Sequence, residues 1–271
     1  MTARQTLHIL DQAVALDGVD SNTYTGRTNP AYQNMIGPFG GVIGATLLNA
    51  IIQHPERLGE PVSFTVHYAA PISDGEFTVR LRIMRTNRSS QHWFVELIQE
   101  EQTAAFATAV TAIRRDTWGT TDAEYPQVPN AESVAVTPPL PHAPWTNCYE
   151  MRFIDGFPGV DEQREHPSQS RLWLRDQPPR PLDFVSLAAI CDAFFPRLFV
   201  RRPKRVPFGT VALTTYFHAD TAQLAEQGSA PVLGLAKGVH FGKGFFDQSA
   251  EIWGSDGALL ASSHQIVYYK E

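Results

Sequence analysis

The feature that most constrains this chain is a short helix with almost no polar face, written twice. One copy begins near Phe39-Gly40-Gly41-Val42-Ile43-Gly44-Ala45-Thr46-Leu47-Leu48, the other near Asp183-Phe184-Val185-Ser186-Leu187-Ala188-Ala189-Ile190-Cys191-Asp192. Strand-like segments follow each copy and close on matching runs, Ala104 to Thr111 in the first half and Ala258 to Gln265 in the second. A helix that is apolar on all sides must be buried on all sides, and these two are too short to span a bilayer. The protein itself must therefore wrap them. A curved antiparallel sheet around each helix does so, which predicts an α+β chain of two tandem repeats. The copies differ in one respect: the second carries an acid, Asp192.

Composition narrows the function classes. The 271 residues are 43% hydrophobic and 18% charged, enough for a sizeable core. A formal net charge of −6 argues against a nucleic-acid partner, which needs a basic face. The two cysteines, Cys148 and Cys191, have no metal-type spacing and make no disulfide framework, so a reducing cytosol is the expected compartment. The start, Met1 to Leu10, does not read as a signal peptide. No metal and no cofactor are expected: the histidines form no ligand-spaced set with the acids, and there is no dinucleotide fingerprint, P-loop, H-E-x-x-H or G-x-S-x-G.

Alternation of apolar and polar residues places strands at Phe64–Tyr68, Phe77–Ile83, Phe94–Gln99 and 105–114 in the first half. In the second half it places them at Tyr149–Ile154, Ser170–Leu174, Gly209–Phe217, Val232–Val239, Phe246–Trp253 and Leu259–Tyr269. The helices are expected at about 40–53 and 183–195, the latter stopped by Pro196. Leu7, Ile9 and Leu10 are expected to start a strand, Asp17-Gly18 to make a turn, and Asp256-Gly257 a hairpin. Six prolines between Pro126 and Pro144 forbid a ladder there. The expected division is a first repeat at 1–115, a linker at 116–147, ordered against the surface in places, and a second repeat at 148–271.

Several residues could carry chemistry. Gly40 and Gly41 open the first helix, where free amides and close approach suit a developing oxyanion; a tight turn between helix and sheet needs the same residues. A carboxylate at Asp192, among Ile190, Cys191, Phe194 and Phe195, is costly to bury unless paired. It is either a base with a raised pKa or a structural acid near a helix end. Gln265 is an amide in an otherwise apolar closing strand and needs partners. Thr210 opens a strand, an ordinary place for threonine. The basic run from Arg201 to Arg205 suits either the phosphates of a coenzyme or a solvated loop.

With these residues in view, the chain resembles the bacterial type II acyl-CoA thioesterases and their relatives with tandem hotdog repeats, from about residue 30 to 270. Val66-His67-Tyr68-Ala69-Ala70-Pro71 is similar to the family's histidine-to-proline strand, and Arg85 to Ser90 to the bend after it. Arg171 to Arg175 resembles the strand before the second helix, and Ala189 to Pro196 the segment bearing the catalytic aspartate. The resemblance implies a double hotdog that hydrolyses acyl-CoA thioesters to free acid and coenzyme A by Asp-activated water. It places the aspartate on Asp192, the glutamine on Gln265 and the hydroxyl on Thr210, with Thr214 as the fallback. It also implies an acyl-CoA partner, a homo-oligomer and no membrane insertion. Ala212-Leu213 stands where the family has an acid–histidine pair, and Ile266-Val267 where it has Glu-Gly. An acyl-CoA-binding protein without turnover, or another hotdog enzyme such as an enoyl-CoA hydratase, are the alternatives. A hydratase is disfavoured because Ala31-Tyr32, and no histidine, follows Asn29-Pro30.

Overall fold

The computed structural model describes residues 7–159, 167–202 and 204–271. Met1 to Thr6 and Pro203 of the basic run lie outside the described residues. One antiparallel sheet of thirteen strands forms the body. In chain order these are β1 (Asp17–Gly18), β2 (Thr23–Arg27), β3 (Glu60–Tyr68), β4 (Glu76–Thr86), β5 (Ser90–Gln99), β6 (Gln102–Ala112), β7 (Tyr149–Asp155), β8 (Ser170–Asp176), β9 (Phe208–Phe217), β10 (Val232–Lys237), β11 (Phe241–Gly242), β12 (Phe245–Trp253) and β13 (Leu259–Tyr269). Twelve of them run in the order β1-β2-β4-β5-β6-β3-β9-β13-β12-β10-β8-β7, with β11 hanging from β12. The helices are α1 (Ile9–Ala13), α2 (Gly40–Gln53), α3 (Phe184–Ile190), α4 (Arg197–Arg201) and α5 (Thr221–Gln227). Among the described residues no helix is long and apolar enough to cross a membrane.

The sheet curls around α2 and α3, and the architecture is a double hotdog. Helix α2 is buried from Gly41 through Ile51 without a break, and every residue of α3 is buried. The strands supply that cover by alternation. Val79, Leu81, Val95, Leu97, Ala105 and Ala107 face inward in the first half, as do Leu172, Leu174, Ala236, Ala250 and Ile252 in the second. The halves join where β3 pairs with β9, Thr65 opposite Thr214, so the sheet continues across the seam. On its outer face the Thr65 and Thr214 hydroxyls meet at 2.9 Å. Arg114 adds a clamp, its guanidinium donating to the carbonyls of Pro61 on one side of the seam and Phe217 and Ala219 on the other.

The proline-rich segment lies against the outer face of the second half. Trp173, Leu233 and Trp253 stand side by side there, in register on three neighbouring strands. Tyr125, Val128, Ala131 and Val134 pack over them. The Trp173 indole donates to the Pro129 carbonyl at 2.8 Å, and Arg152 to the Val134 carbonyl at 2.7 Å.

Three local expectations are corrected. Ile9 and Leu10 belong to helix α1, where the Leu10 amide donates to the His8 ring, and not to a strand. Asp17-Gly18 is itself a short strand paired with Thr25 and Tyr24, and the chain reverses in the residues after it. The second apolar helix stops at Ile190 rather than 195, and Asp192 lies in the turn beyond it, where the Asp192 and Ala193 amides reach back only three residues.

Candidate active site

The two helices meet end to end. A methyl group on Gly41 would lie 2.7 Å from the Ala189 carbonyl and 2.4 Å from the Phe39 ring, so only glycine allows the start of α2 to abut the end of α3. The turn after α3 then carries Asp192 onto the first residues of α2. A methyl group on Gly40 would fall 2.8 Å from Asp192 Oδ2 and 3.2 Å from the Tyr68 hydroxyl. The carboxylate therefore rests directly on Gly40. The first half contributes backbone and the second half the acid.

The turn is held from several sides. Arg197 is fully buried and donates to the Phe195 carbonyl, to Gln248 Oε1 at 2.9 Å and to Ser170 Oγ at 2.7 Å, tying the turn to β8 and β12. Burial pushes its pKa down to about 9, because desolvation penalises the charged form. Ser263 Oγ donates to the Cys191 carbonyl at 3.3 Å. Phe39 stacks on Trp145 at 4.3 Å, and Trp145 reaches Phe195, so aromatic rings close the space around the turn.

A chain of donors ends on the carboxylate. Thr210 Oγ1 donates to Gln265 Oε1 at 3.1 Å, and Gln265 Nε2 donates to Asp192 Oδ1 at 3.4 Å. Desolvation raises the Asp192 pKa to about 7, against the opposing pull of Gln265 and of the nearby Gly41 amide. A carboxyl poised near neutrality can take a proton and give it back at physiological pH. Among the described residues no three His, Cys, Asp or Glu side chains gather as a metal set.

The structure thus brings together Asp192, Gln265, Thr210, Gly40 and Gly41 from distant parts of the sequence. Thr214, the fallback hydroxyl, lies elsewhere. Ile266 pairs with Ala212 and Val267 with Thr210, which leaves Val211 as an unpaired bulge. The bulge reverses the side-chain parity, so Thr210 turns inward beside Gln265 while Thr214 faces outward onto Thr65. The basic run is a surface feature whose Arg202 and Lys204 pair with Glu271. Asn29 caps a short 3-10 turn, its side chain accepting from the Ala31 amide. Two residues at the site escaped the reading of the sequence. Tyr68 looked like one more alternating strand residue, and Arg197, just beyond Pro196, drew no reading at all.

Two acyl-CoA thioesterase domain models match the chain, the N-terminal domain over residues 29–113 and the C-terminal domain over 122–269. A hotdog-fold crystal structure from Alicyclobacillus acidocaldarius, of a conserved protein of unknown function, is 42% identical, covering 98% of this chain and 99% of that one with a TM-score of 0.93. The acyl-CoA thioesterase II TesB2 of Mycobacterium marinum is 14% identical with a TM-score of 0.77, over 96% and 98% of the two chains. A tesB protein of Mycobacterium avium subspecies paratuberculosis is 16% identical with a TM-score of 0.77, over 97% and 98%. At such identities these two show the fold alone. Among curated proteins, none matches the chain. The chain belongs to the acyl-CoA thioesterase family, as its matches to both domain models show.

Proposed function

We propose that the protein hydrolyses acyl-CoA thioesters to a free acid and coenzyme A, with Asp192 as general base. The observation that carries this reading is a buried carboxyl, poised near neutral pH, held by Gln265 against the start of α2 at the junction of the two repeats. Asp192 accepts a proton from water as the water oxygen bonds to the thioester carbonyl carbon. The tetrahedral intermediate expels the thiolate, and Asp192 returns the proton to it. Gln265 holds the carboxylate in place and its second N–H positions the water, while Thr210 fixes the Gln265 amide. Gly40 and Gly41 line the substrate side. The helix start holds few competing partners for its amides, since Phe39 provides no side-chain cap. An amide there stabilises the oxyanion.

The repeats are assigned to 1–115 and 148–271, with 116–147 as the linker, and the protein acts as a homo-oligomer in the cytoplasm. The test is a panel of acyl-CoA esters of graded length with free-thiol detection, run on the wild type and on Asp192→Asn. Chain-length-dependent thiol release that Asp192→Asn abolishes supports the reading. Tight acyl-CoA binding without thiol release would replace it with a binding function.

A further inference from the structure

Asp192 has two faces. Oδ1 is engaged by Gln265, while Oδ2 lies over Gly40 beside a group that the family resemblance does not assign, the hydroxyl of Tyr68. Tyr68 comes from the last position of β3, so it reaches the site from the first repeat, opposite Gln265 and Thr210. Its proton is already committed: the hydroxyl donates to the Gly40 carbonyl at 2.7 Å. What the phenol oxygen offers the site is therefore an acceptor. Burial, and after it the charge of Asp192, holds its pKa well above the ordinary tyrosine range, so the phenol stays neutral throughout turnover.

The spacing suits one water. Asp192 Oδ2 and the Tyr68 oxygen are 2.8 and 3.2 Å from a common point above Gly40. The two oxygens are therefore at most about 6 Å apart, and a single water making two hydrogen bonds of about 2.8 Å spans up to about 5.6 Å. Glycine at position 40 keeps a side chain from starting beside these two oxygens.

We propose that Tyr68 is a further catalytic residue, whose oxygen accepts one hydrogen of the attacking water while Asp192 takes the other. This rests on the hydrolytic reading above. In the step, one water O–H bond breaks, its proton passes to Asp192, and the water oxygen bonds to the carbonyl carbon. The C–S bond then breaks and the thiolate takes the proton from Asp192. The second hydrogen, held by Tyr68, stays with the product acid. Fixing both hydrogens turns the water's lone pair toward the carbonyl, which is an orientation effect and belongs in kcat.

The experiment compares wild type and Tyr68→Phe on the best acyl-CoA ester, with and without hydroxylamine. Hydroxylamine is a strong nucleophile that does not depend on a held water, and its product is the hydroxamate. For Tyr68→Phe we expect kcat for hydrolysis to fall about 10- to 100-fold with KM within about threefold. The ratio of hydroxamate to free acid should rise by at least about tenfold. Once the hydroxamate and acid formed without enzyme are subtracted, that ratio is independent of the amount of folded enzyme, so it can be read even if the variant loses stability. If Tyr68 only secures the start of α2, both products fall together and the ratio stays at the wild-type value, which overturns the proposal. Wild-type hydrolysis in Tyr68→Phe overturns it as well while leaving the hydrolytic reading intact. A wild-type protein that releases no thiol from any ester overturns both.

Discussion

The two halves of the molecule wrap the same kind of helix and use it differently. In the first, α2 runs from Gly40 to Gln53 and carries no acid, and its contribution to the site is bare backbone at its start. In the second, α3 ends after Ile190, and the residues that would have continued it form a turn carrying Asp192, anchored by Arg197. A full-length helix would have kept that acid against its own apolar surroundings. Shortening it lets the carboxylate reach the amides of the other helix. The comparison teaches that a duplicated fold can divide its contributions to one place, one copy keeping a backbone platform and the other giving up helix for a buried carboxyl.

The sharpest way to break this comparison is Asp192→Asn. Loss of the base should reduce hydrolysis by about two to four orders of magnitude. The melting temperature should hold or rise, because Asn can still accept from the Gly41 amide and the buried charge is gone. Steady-state kinetics and thermal unfolding of the same preparation decide it. Wild-type turnover would make Asp192 an inter-repeat helix cap and nothing more.

Gly40→Ala tests the platform. The new methyl would press on Asp192 Oδ2 and the Tyr68 hydroxyl, so hydrolysis should fall about 10- to 100-fold, with a stability cost of about 1–3 kcal/mol, the range for overpacking. If activity survives, the carboxylate does not work at that position. Gln265→Ala should cost about tenfold or more in kcat and Thr210→Val less, since Thr210 acts through Gln265. The reverse order would mean that Thr210 meets the water without help.

Stability against pH sharpens the same contrast. The folded-state pKa of Asp192 is raised to about 7, above the unfolded value near 3.9. The group therefore contributes its full stability below about pH 4 and loses it as pH rises toward 7. Three units correspond to about 4 kcal/mol, an order of magnitude for the charge penalty that Asp192→Asn removes. Asp176, buried in the same half and raised to about 6 by desolvation, gives a loss of the same sign, so the variant should flatten the decline without abolishing it. Denaturant unfolding at pH 4, 5.5 and 7 measures this. An unchanged slope would show that Asp192 is not desolvated. The smallest effect is expected for Thr214→Val, which removes an outward hydroxyl pair worth about 0.2–1 kcal/mol and should leave turnover untouched.

Much of the fold was legible because each strand has one face on the core. The alternation of Phe77, Val79 and Leu81 announces β4, and Asp256-Gly257 marks the hairpin that starts β13, with Gly257 at φ +87°. The boundaries of α2 could be read from its glycines and from Pro55. The end of α3 could not. Its apolar run continues to Pro196 with no breaker, and what ends the helix is tertiary: the Arg197 grip on Phe195 and the approach of α2. Helix α5 had a visible signal, Asp220 and Gln223 in a capping box, that the strand-focused reading passed over. Asp192 and Gln265 stood out as polar residues in apolar runs. The bulge at Val211 leaves no mark in composition, so the facing of Thr210 required the ladder itself.

The uninterrupted ladder across β3 and β9 has a dynamic consequence. Backbone hydrogen bonds join the halves, the Arg114 clamp spans them, and the proline-rich belt is pinned to one of them. Enzymes that admit substrate between domains swing about a hinge, and this seam has no such freedom. On the proposed hydrolysis, a thioester would reach Asp192 by smaller motions, such as rotation of the rings of Phe39, Trp145 and Phe195 that close over the turn. Those movements belong to side chains and short segments, so the gate of this site opens faster and through a narrower passage than a domain-scale opening would provide.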